Sequence, residues 1–402
     1  MIYKSFLMDK LILIVISIAF VLVDWRLFYF TFADMFLLIA LVLLFLINKN
    51  SFYLSRSQFY IIIVVLLLVL SNFLLNFFFN PKFIISKAIK GMAKIVYYMP
   101  TIMVMYNYIK EKKLELEFLQ ILSITAVVVC ITGIYISVAI YLNNVLPYKF
   151  FWEFTRTDVA SYTYRGSGGS IIRTRSIFSE PSYLGFYLNV ILGISYFNKF
   201  KYKINTIFSI VIVITILLTF SYSSILIMIF INFVYFLSNK IKFWKDRKYL
   251  ISVLVMIIVL ISLWNVLEET LIKRTQEILS GVDGSALSRF YKSWSYINKE
   301  NIFIGNGLGN TPPIWNIYAY VLSDLGLVSF LLFVSFNLLI LITNYKVGIL
   351  FTILNFQKGG YLGAGYWIFL LIIFVYMGKN IKYLNKMFYT IWENLKCKFK
   401  KC

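Results

Sequence analysis

The chain contains no histidine among its 402 residues. That excludes a Ser-His-Asp or Cys-His nucleophile system and any zinc site built on imidazole. Cysteine is nearly absent. Cys130, Cys397 and Cys402 are the three, and no pair brackets a polar loop, so a disulfide framework is not expected. Charge is scarce as well, at 14% of residues, and acid is scarcer than base, with 17 Asp and Glu against 39 Lys and Arg. Chemistry is left to Asp, Glu, Lys, Arg, Tyr or the substrate itself, and the sequence calls for no metal and no cofactor.

Apolar residues make up 61% of the chain, and mean hydropathy is +0.82. A soluble domain is nearer half apolar and a quarter charged. The expectation is an all-α polytopic membrane protein, a single integral domain over 1–402. A net charge of +22 would suggest nucleic acid in a soluble protein. Here most Lys and Arg fall in short loops on one side, as the positive-inside rule expects. Membrane lipids, not nucleic acid, are the expected surroundings.

A span needs roughly 17 to 25 apolar residues. Candidates run at Leu11–Val23, Leu27–Ile47, Phe59–Phe79, from near Phe83, and at Phe118–Leu142 and Ile177–Phe197. Ile204–Leu237 is too long for one crossing and carries Ser221, Ser223 and Ser224 mid-way, so two helices with a tight turn are expected. Tyr249–Leu267 and Trp315–Thr343 follow. The last apolar region, Val347–Met377, is broken by Gln357, Lys358, Gly359, Gly360, Gly363 and Gly365. Twelve crossings are expected, ten if two weak spans are re-entrant. Lys4 and Lys10 before the first apolar run read as an uncleaved signal anchor. The lysine-rich tail after Met377 puts the C-terminus, like the N-terminus, in the cytoplasm.

Two larger polar loops then lie outside, 143–176 and 268–314. The first carries Lys149, Arg156, Arg165, Arg173 and Arg175 against Glu153 and Asp158. Net basic charge on the side that usually lacks cations points to an anionic substrate. Arg173 and Arg175 also stand beside Glu180 and Pro181, at the start of an apolar helix where charge is expensive to keep. The second loop balances five cations with five acids and contains Gly305-Asn306-Gly307-Leu308-Gly309-Asn310. Elsewhere, Lys87, Lys90 and Lys94 share one helix face, which either snorkels at the membrane interface or faces a polar cavity, and in both cases sets cations near the outer leaflet where an anionic headgroup could bind.

The stretch R-S-I-F-S-E-P-S-Y-L-G-F-Y, and T-F-S-Y-S-S after the next span, resemble the bacterial O-antigen and capsule polymerases (Wzy) and the related O-antigen ligases. So do S-R-F-Y-K-S-W-S-Y-I-N-K-E-N-I-F-I-G-N-G-L-G-N and W-N-I-Y-A-Y-V-L-S-D-L-G-L. The resemblance covers about Ile172 to Val328. It implies a metal-independent integral-membrane glycosyltransferase that uses undecaprenyl-diphosphate-linked glycans at the outer face of the bacterial inner membrane. The product would be lipopolysaccharide O antigen or capsule. A chain-length regulator and a flippase of the same pathway are the implied partners. Ligase-like members place a histidine where this chain has Trp315, which favours polymerase over ligase. Arg156 to Gly166 and Arg274 to Gly284 each enclose nine residues, one short of the loop motif of the polymerases. The alternatives are a ligase transferring glycan to lipid A core and a lipid-linked oligosaccharide flippase.

Under that reading the leaving group is a lipid diphosphate, and arginines aimed at its developing charge lower the barrier without metal. Arg173, Arg175 and Arg289 take that role, with Arg165 and Arg274 as weaker candidates. Glu180 is the expected general base, because a carboxylate near the membrane surface is desolvated. Asp324 is the runner-up. Lys292, Gly305, Gly307, Gly309 and Asn316 are expected at the substrate. Each assignment has a structural alternative: a helix-start carboxylate for Glu180, a helix contact for Asp324, and a loop turn for the glycines. Tyr162, Tyr164, Trp294 and Trp315 could stack on sugar rings.

Overall fold

A computed structural model describes residues 2–28, 30–47, 52–142, 145–155, 163–166, 169–238 and 272–378, with isolated positions between 254 and 268. Within these the fold is all-α apart from two short hairpins. The longer helices are α1 (Ile2–Val21), α2 (Phe32–Ile47), α3 (Arg56–Phe79), α4 (Ile85–Glu111), α5 (Glu115–Tyr141) and α6 (Pro181–Phe197). They continue as α7 (Thr206–Leu218), α8 (Tyr222–Ser238), α9 (Ile317–Thr343), α10 (Tyr345–Gln357) and α11 (Ala364–Met377). The hairpins are β1 (Arg26–Leu27) with β2 (Phe30–Thr31) and β3 (Thr163–Gly166) with β4 (Gly169–Ile172), both antiparallel. Among the described residues three helices, α3, α5 and α9, are long and apolar enough to cross a membrane, and α2, α7, α8 and α11 are shorter apolar helices.

Local signals set most of the boundaries. Ser55 and Gln58 form a reciprocal capping box at the start of α3, which satisfies two backbone donors. Asn205, Asn316 and Asn344 cap α7, α9 and α10 through their side chains. The expected long segment 204–237 breaks between Leu218 and Tyr222, and the last apolar region breaks between Gln357 and Ala364. One expected span starts late: α2 begins at Phe32 and not at Leu27, because Arg26–Thr31 is taken up by the β1–β2 hairpin. Most of the expected span Tyr249–Leu267, and the tail after Gly378, lie outside the described residues.

Two helices form the centre. Most of α6 and α11 is buried nearly all round, as expected of helices apolar on every face. A Cβ on Gly185 would fall 2.1 Å from Ser224 Oγ, so glycine lets α6 and α8 approach closely.

Contacts sort the helix ends into two sets. At one end the Asn80 amide donates to Asn306 O, the Ile84 N–H reaches Asn310 Oδ1, and the Thr174 N–H reaches Leu218 O. At the other, Lys110 Nζ pairs with Glu115 Oε1 at 3.1 Å and donates to Val375 O. There too Tyr376 OH donates to Glu115 O, and the Lys199 N–H to Tyr376 O.

Candidate functional site

The stretch leading into α6 is an arch pinned from several sides. Thr174, Arg175, Ser176, Phe178 and Ser179 are all buried, which obliges their backbone polar groups to find partners. Trp152 Nε1 donates to Ser176 O at 2.6 Å and Trp25 Nε1 donates to Ile177 O at 2.8 Å. Arg175 Nη1 donates to Ser179 O at 3.0 Å, and the Phe178 N–H to Arg175 O. Ser176 Oγ donates to Val129 O on α5, and Ser179 Oγ to Asp24 Oδ2. Two tryptophans from distant parts of the chain therefore fix consecutive carbonyls of one short segment.

Within the arch the two arginines are not equivalent. Arg175 is 2% exposed, with its guanidinium 3.6 Å from the Trp152 ring centroid. Stacking of this kind suits the planar guanidinium. Burial raises the pKa of the nearby Tyr148 hydroxyl above the ordinary phenol range, and the Arg175 charge opposes that shift. Arg173 is half-buried, and its Nε donates to Thr219 O at 3.2 Å. Thr219 closes the C-terminal end of α7, where the helix dipole favours a cation. Arg175 thus braces the arch, while Arg173 stands at its more open edge.

Glu180 occupies the N-cap position of α6 by backbone conformation, with Pro181 following, but its side chain makes no capping hydrogen bond. Its Oε2 instead accepts from Ser182 Oγ at 3.1 Å. One turn on, the Tyr183 ring lies 6.3 Å from the Trp315 ring, and Lys358 Nζ lies 4.0 Å from its centroid. Lys358 also lies 5.0 Å from the Phe186 ring. Sequence reasoning did not assign Lys358 to the site. A lone cation between Gln357 and Gly359-Gly360, deep in the last apolar region, was the available signal.

The second half is a loop inserted into a broken helix. At Gly326, φ is 76° and ψ is −176°, interrupting α9. The Phe303 backbone lies so close that a Cβ on Gly326 would fall 2.1 Å from its carbonyl oxygen. The break leaves two helix carbonyls and one helix N–H without helical partners, and the loop satisfies them. The Asn306 N–H bonds Ser323 O, the Gly307 N–H bonds Asp324 O, and the Leu327 N–H bonds Ile302 O. From the opposite side α3 presents Asn72, Asn76 and Asn80. The Asn72 and Asn76 amides both donate to Ile304 O, and the Leu308 N–H donates to Asn72 Oδ1.

Asp324 is 0% exposed. It accepts from the Gly309 N–H at 2.9 Å, the Thr311 N–H at 2.8 Å and Tyr361 OH at 2.9 Å. Its geometry is that of an anchor for the loop, and it leaves Glu180 as the more open carboxylate. Gly305, Gly307 and Gly309 all have positive φ. Their close neighbours are protein: Cβ atoms there would meet Asp324 O and Gly326 N, the Phe83 ring, and Lys87 O. Asn316, 1% exposed, uses its oxygen to cap α9. Lys292 is exposed. The side chains of Arg165, Arg274 and Arg289 lie outside the described residues, as do those of Tyr162 and Tyr164 and the whole of Arg156. Trp294 is half-buried against the core.

A third element that the sequence reading left unassigned joins the halves. In the connection from α10 to α11, Lys358 meets Tyr183 of the first half and Tyr361 holds Asp324 of the second. A Cβ on Gly359 would fall 1.5 Å from Ile314 O, so this connection lies directly on the chain leading to Trp315. Among the described residues no cluster of three or more His, Cys, Asp or Glu is placed to hold a metal ion. An apolar cleft of about 270 Å³ lined by Leu41, Phe52, Tyr53, Leu54, Pro100, Thr101 and Val104 contains none of these groups. What the arrangement offers chemically is two cations, Arg173 and Lys358, and one carboxylate, Glu180, beside two aromatic rings. No protein-family model, no curated protein and no solved structure matches the chain.

Proposed function

We propose that this chain is a polysaccharide polymerase of the bacterial inner membrane, a metal-independent glycosyltransferase that joins undecaprenyl-diphosphate-linked repeat units into O antigen or capsule. The observation that carries the reading is the convergence at one end of the bundle. There the pinned arch sets Arg173 at the C-terminal end of α7 and Glu180 at the start of α6, and the first turn of α6 brings Tyr183 to Trp315 and Lys358. The resemblance of the arch and second-loop motifs to the polymerases supplies the reaction class.

In this reading ten to twelve crossings place that end on the outer face and both termini inside. Support comes from Lys110, Lys112, Lys113, Lys199, Lys201, Lys203 and Lys346, which lie at the opposite helix ends, as the positive-inside rule asks of the cytoplasmic side. A hydroxyl at the non-reducing end of a new lipid-linked repeat attacks the anomeric carbon of the growing chain. The new C–O bond forms as the bond to the lipid diphosphate breaks. Glu180 takes the hydroxyl proton, and the bonding pair leaves with the diphosphate. Arg173 and Lys358 stabilise the charge that develops on the departing oxygen. Arg175 acts on the reaction only by holding the arch. Tyr183 and Trp315 give the sugar a face to stack on.

The test is the glycan ladder of a deletion strain carrying E180Q or R173A. Both variants should accumulate in the membrane at the parental level. Each should reduce the ladder to a single repeat unit. Full-length polymer from both variants would sink the assignment. Lipid-linked polymer accumulating undelivered in the deletion strain would indicate a ligase, and repeats trapped inside the cell a flippase.

A further inference from the structure

The hairpin between α1 and α2 carries an aromatic ring where its turn favours other residues. β1 and β2 pair Arg26 with Thr31 and Leu27 with Phe30, so a two-residue turn joins them, beginning at Phe28. Turns of that length favour glycine, asparagine or aspartate, because they require positive φ. Phe28 adopts φ 55°, a conformation that bulky side chains rarely accept. It is also 91% exposed, and Phe30 is 62% exposed. An aromatic ring held out bare from a strained backbone asks for a partner outside the chain.

The ribbon has two faces. Directly paired residues project to the same side, so Leu27 and Phe30 share one face and Arg26 and Thr31 the other. Thr31 is tied to the first turn of α2: its N–H donates to Asp34 Oδ2, and its Oγ1 accepts the Asp34 N–H. Leu27, Phe28 and Phe30 are left as an exposed apolar tip. The base is held firmly. The Trp25 ring lies 5.6 Å from the Phe154 ring and 5.7 Å from the Phe32 ring, and the Arg26 N–H donates to Phe154 O. With Trp25 also bonded to Ile177 O, the hairpin is continuous with the arch.

Helix length identifies the partner. α2 has 16 residues and so rises only about 24 Å. Lys49, two residues beyond Ile47 in the sequence, bounds its far end, since a charge belongs outside the hydrocarbon. A hydrocarbon layer of about 30 Å then continues about 6 Å past Phe32. The hairpin, about 7 Å long at strand rise, occupies that interval. Apolar exposure runs on along α2 at Leu38, Ile39, Val42, Phe45 and Leu46. We propose that the Arg26–Thr31 hairpin is an interfacial foot that inserts Leu27, Phe28 and Phe30 among the lipids of the outer leaflet. Arg26, exposed on the other face, serves the lipid phosphates. The choice of leaflet rests on the orientation given under the proposed function; the insertion does not.

The test places a nitrobenzoxadiazole fluorophore at L27C, in full-length protein with its three native cysteines replaced, reconstituted in phosphatidylcholine nanodiscs. Emission should be quenched by lipid carrying a nitroxide high on its acyl chain and should be indifferent to aqueous iodide. The comparison is F28N/F30T in the same labelled background. Asparagine suits the positive φ and threonine suits a strand, so the hairpin should persist and melting should match the parent. Its emission should shift to the red, lose the nitroxide quenching and become open to iodide. Iodide quenching of the parent would overturn the foot, and so would an unchanged signal in F28N/F30T. Shielding from both quenchers would overturn it too, and would mark a protein partner over the tip. No glycan enters this measurement. A label in lipid with full polymer from E180Q and R173A would remove the glycosyltransferase and leave the foot. A label in water with polymer lost in those variants would do the reverse.

Discussion

Replacing Gly326 by alanine should dislodge the loop that carries residues 305–310. At φ 76° and ψ −176° Gly326 occupies a region open essentially to glycine alone, where any side chain costs on the order of 1–3 kcal/mol. The added Cβ would also fall 2.1 Å from Phe303 O. That atom is backbone, so relief requires the loop to move as a body. Movement breaks the bonds from Leu327 to Ile302, Asn306 to Ser323 and Gly307 to Asp324. At about 1 kcal/mol each, added to the strain, the native seating loses roughly 4–6 kcal/mol. A whole domain is typically stable by about 5–15 kcal/mol, so the loop should be driven out while the bundle persists. Thr311 is 4% exposed and makes a useful reporter. In a chain with its three native cysteines replaced, T311C should resist a membrane-impermeant maleimide. The same reporter combined with G326A should label rapidly, and the strain should lose its polymer. Equally slow labelling in both backgrounds, with unchanged melting, would refute the reasoning.

Other outcomes follow from the same contacts. D324N should lower stability by about 1–3 kcal/mol, because one amide face would present N–H groups to the Gly309 or Thr311 N–H; thermal melting in detergent would register it, with Y361F milder. R175K keeps the charge but loses the planar stack on Trp152, and should cost about 1–2 kcal/mol in the same assay. N72A should cost about 1–3 kcal/mol, since it leaves the buried Leu308 N–H without its acceptor, and it should hasten proteolysis within residues 301–311.

Much of the helix layout could be read from the sequence because its signals are local. Pro181 fixes the start of α6, the serines at 221–224 mark the break between α7 and α8, and the glycines after Gln357 mark the last break. The stretch from Arg173 to Glu180 could be singled out as unusual, yet the sequence gives no hint of which arginine faces inward. That depends on Trp152 and Trp25, the latter bonded to a residue 152 positions away. Gly326, in D-L-G-L, looks like any helix glycine until the Phe303 backbone is set against it. Besides Lys358, an overlooked signal within reach was the Asn72, Asn76 and Asn80 series. Three amides at i, i+4 and i+8 in an otherwise apolar helix share a face, and that face needed a polar partner.

That asparagine face also imposes an order on biogenesis. Asn72 meets Ile304 across 232 residues of chain. At translation rates of roughly 5–20 residues per second, α3 waits on the order of ten to fifty seconds before its partner loop exists. During that interval its amides have only local acceptors, such as the Asn72 carbonyl that Asn76 already uses. The loop in turn has no seat until the break in α9 has been made. Final assembly of the second half is therefore a late, long-range event, and a chain stalled before residue 304 would expose α3 as a polar-striped helix open to quality control.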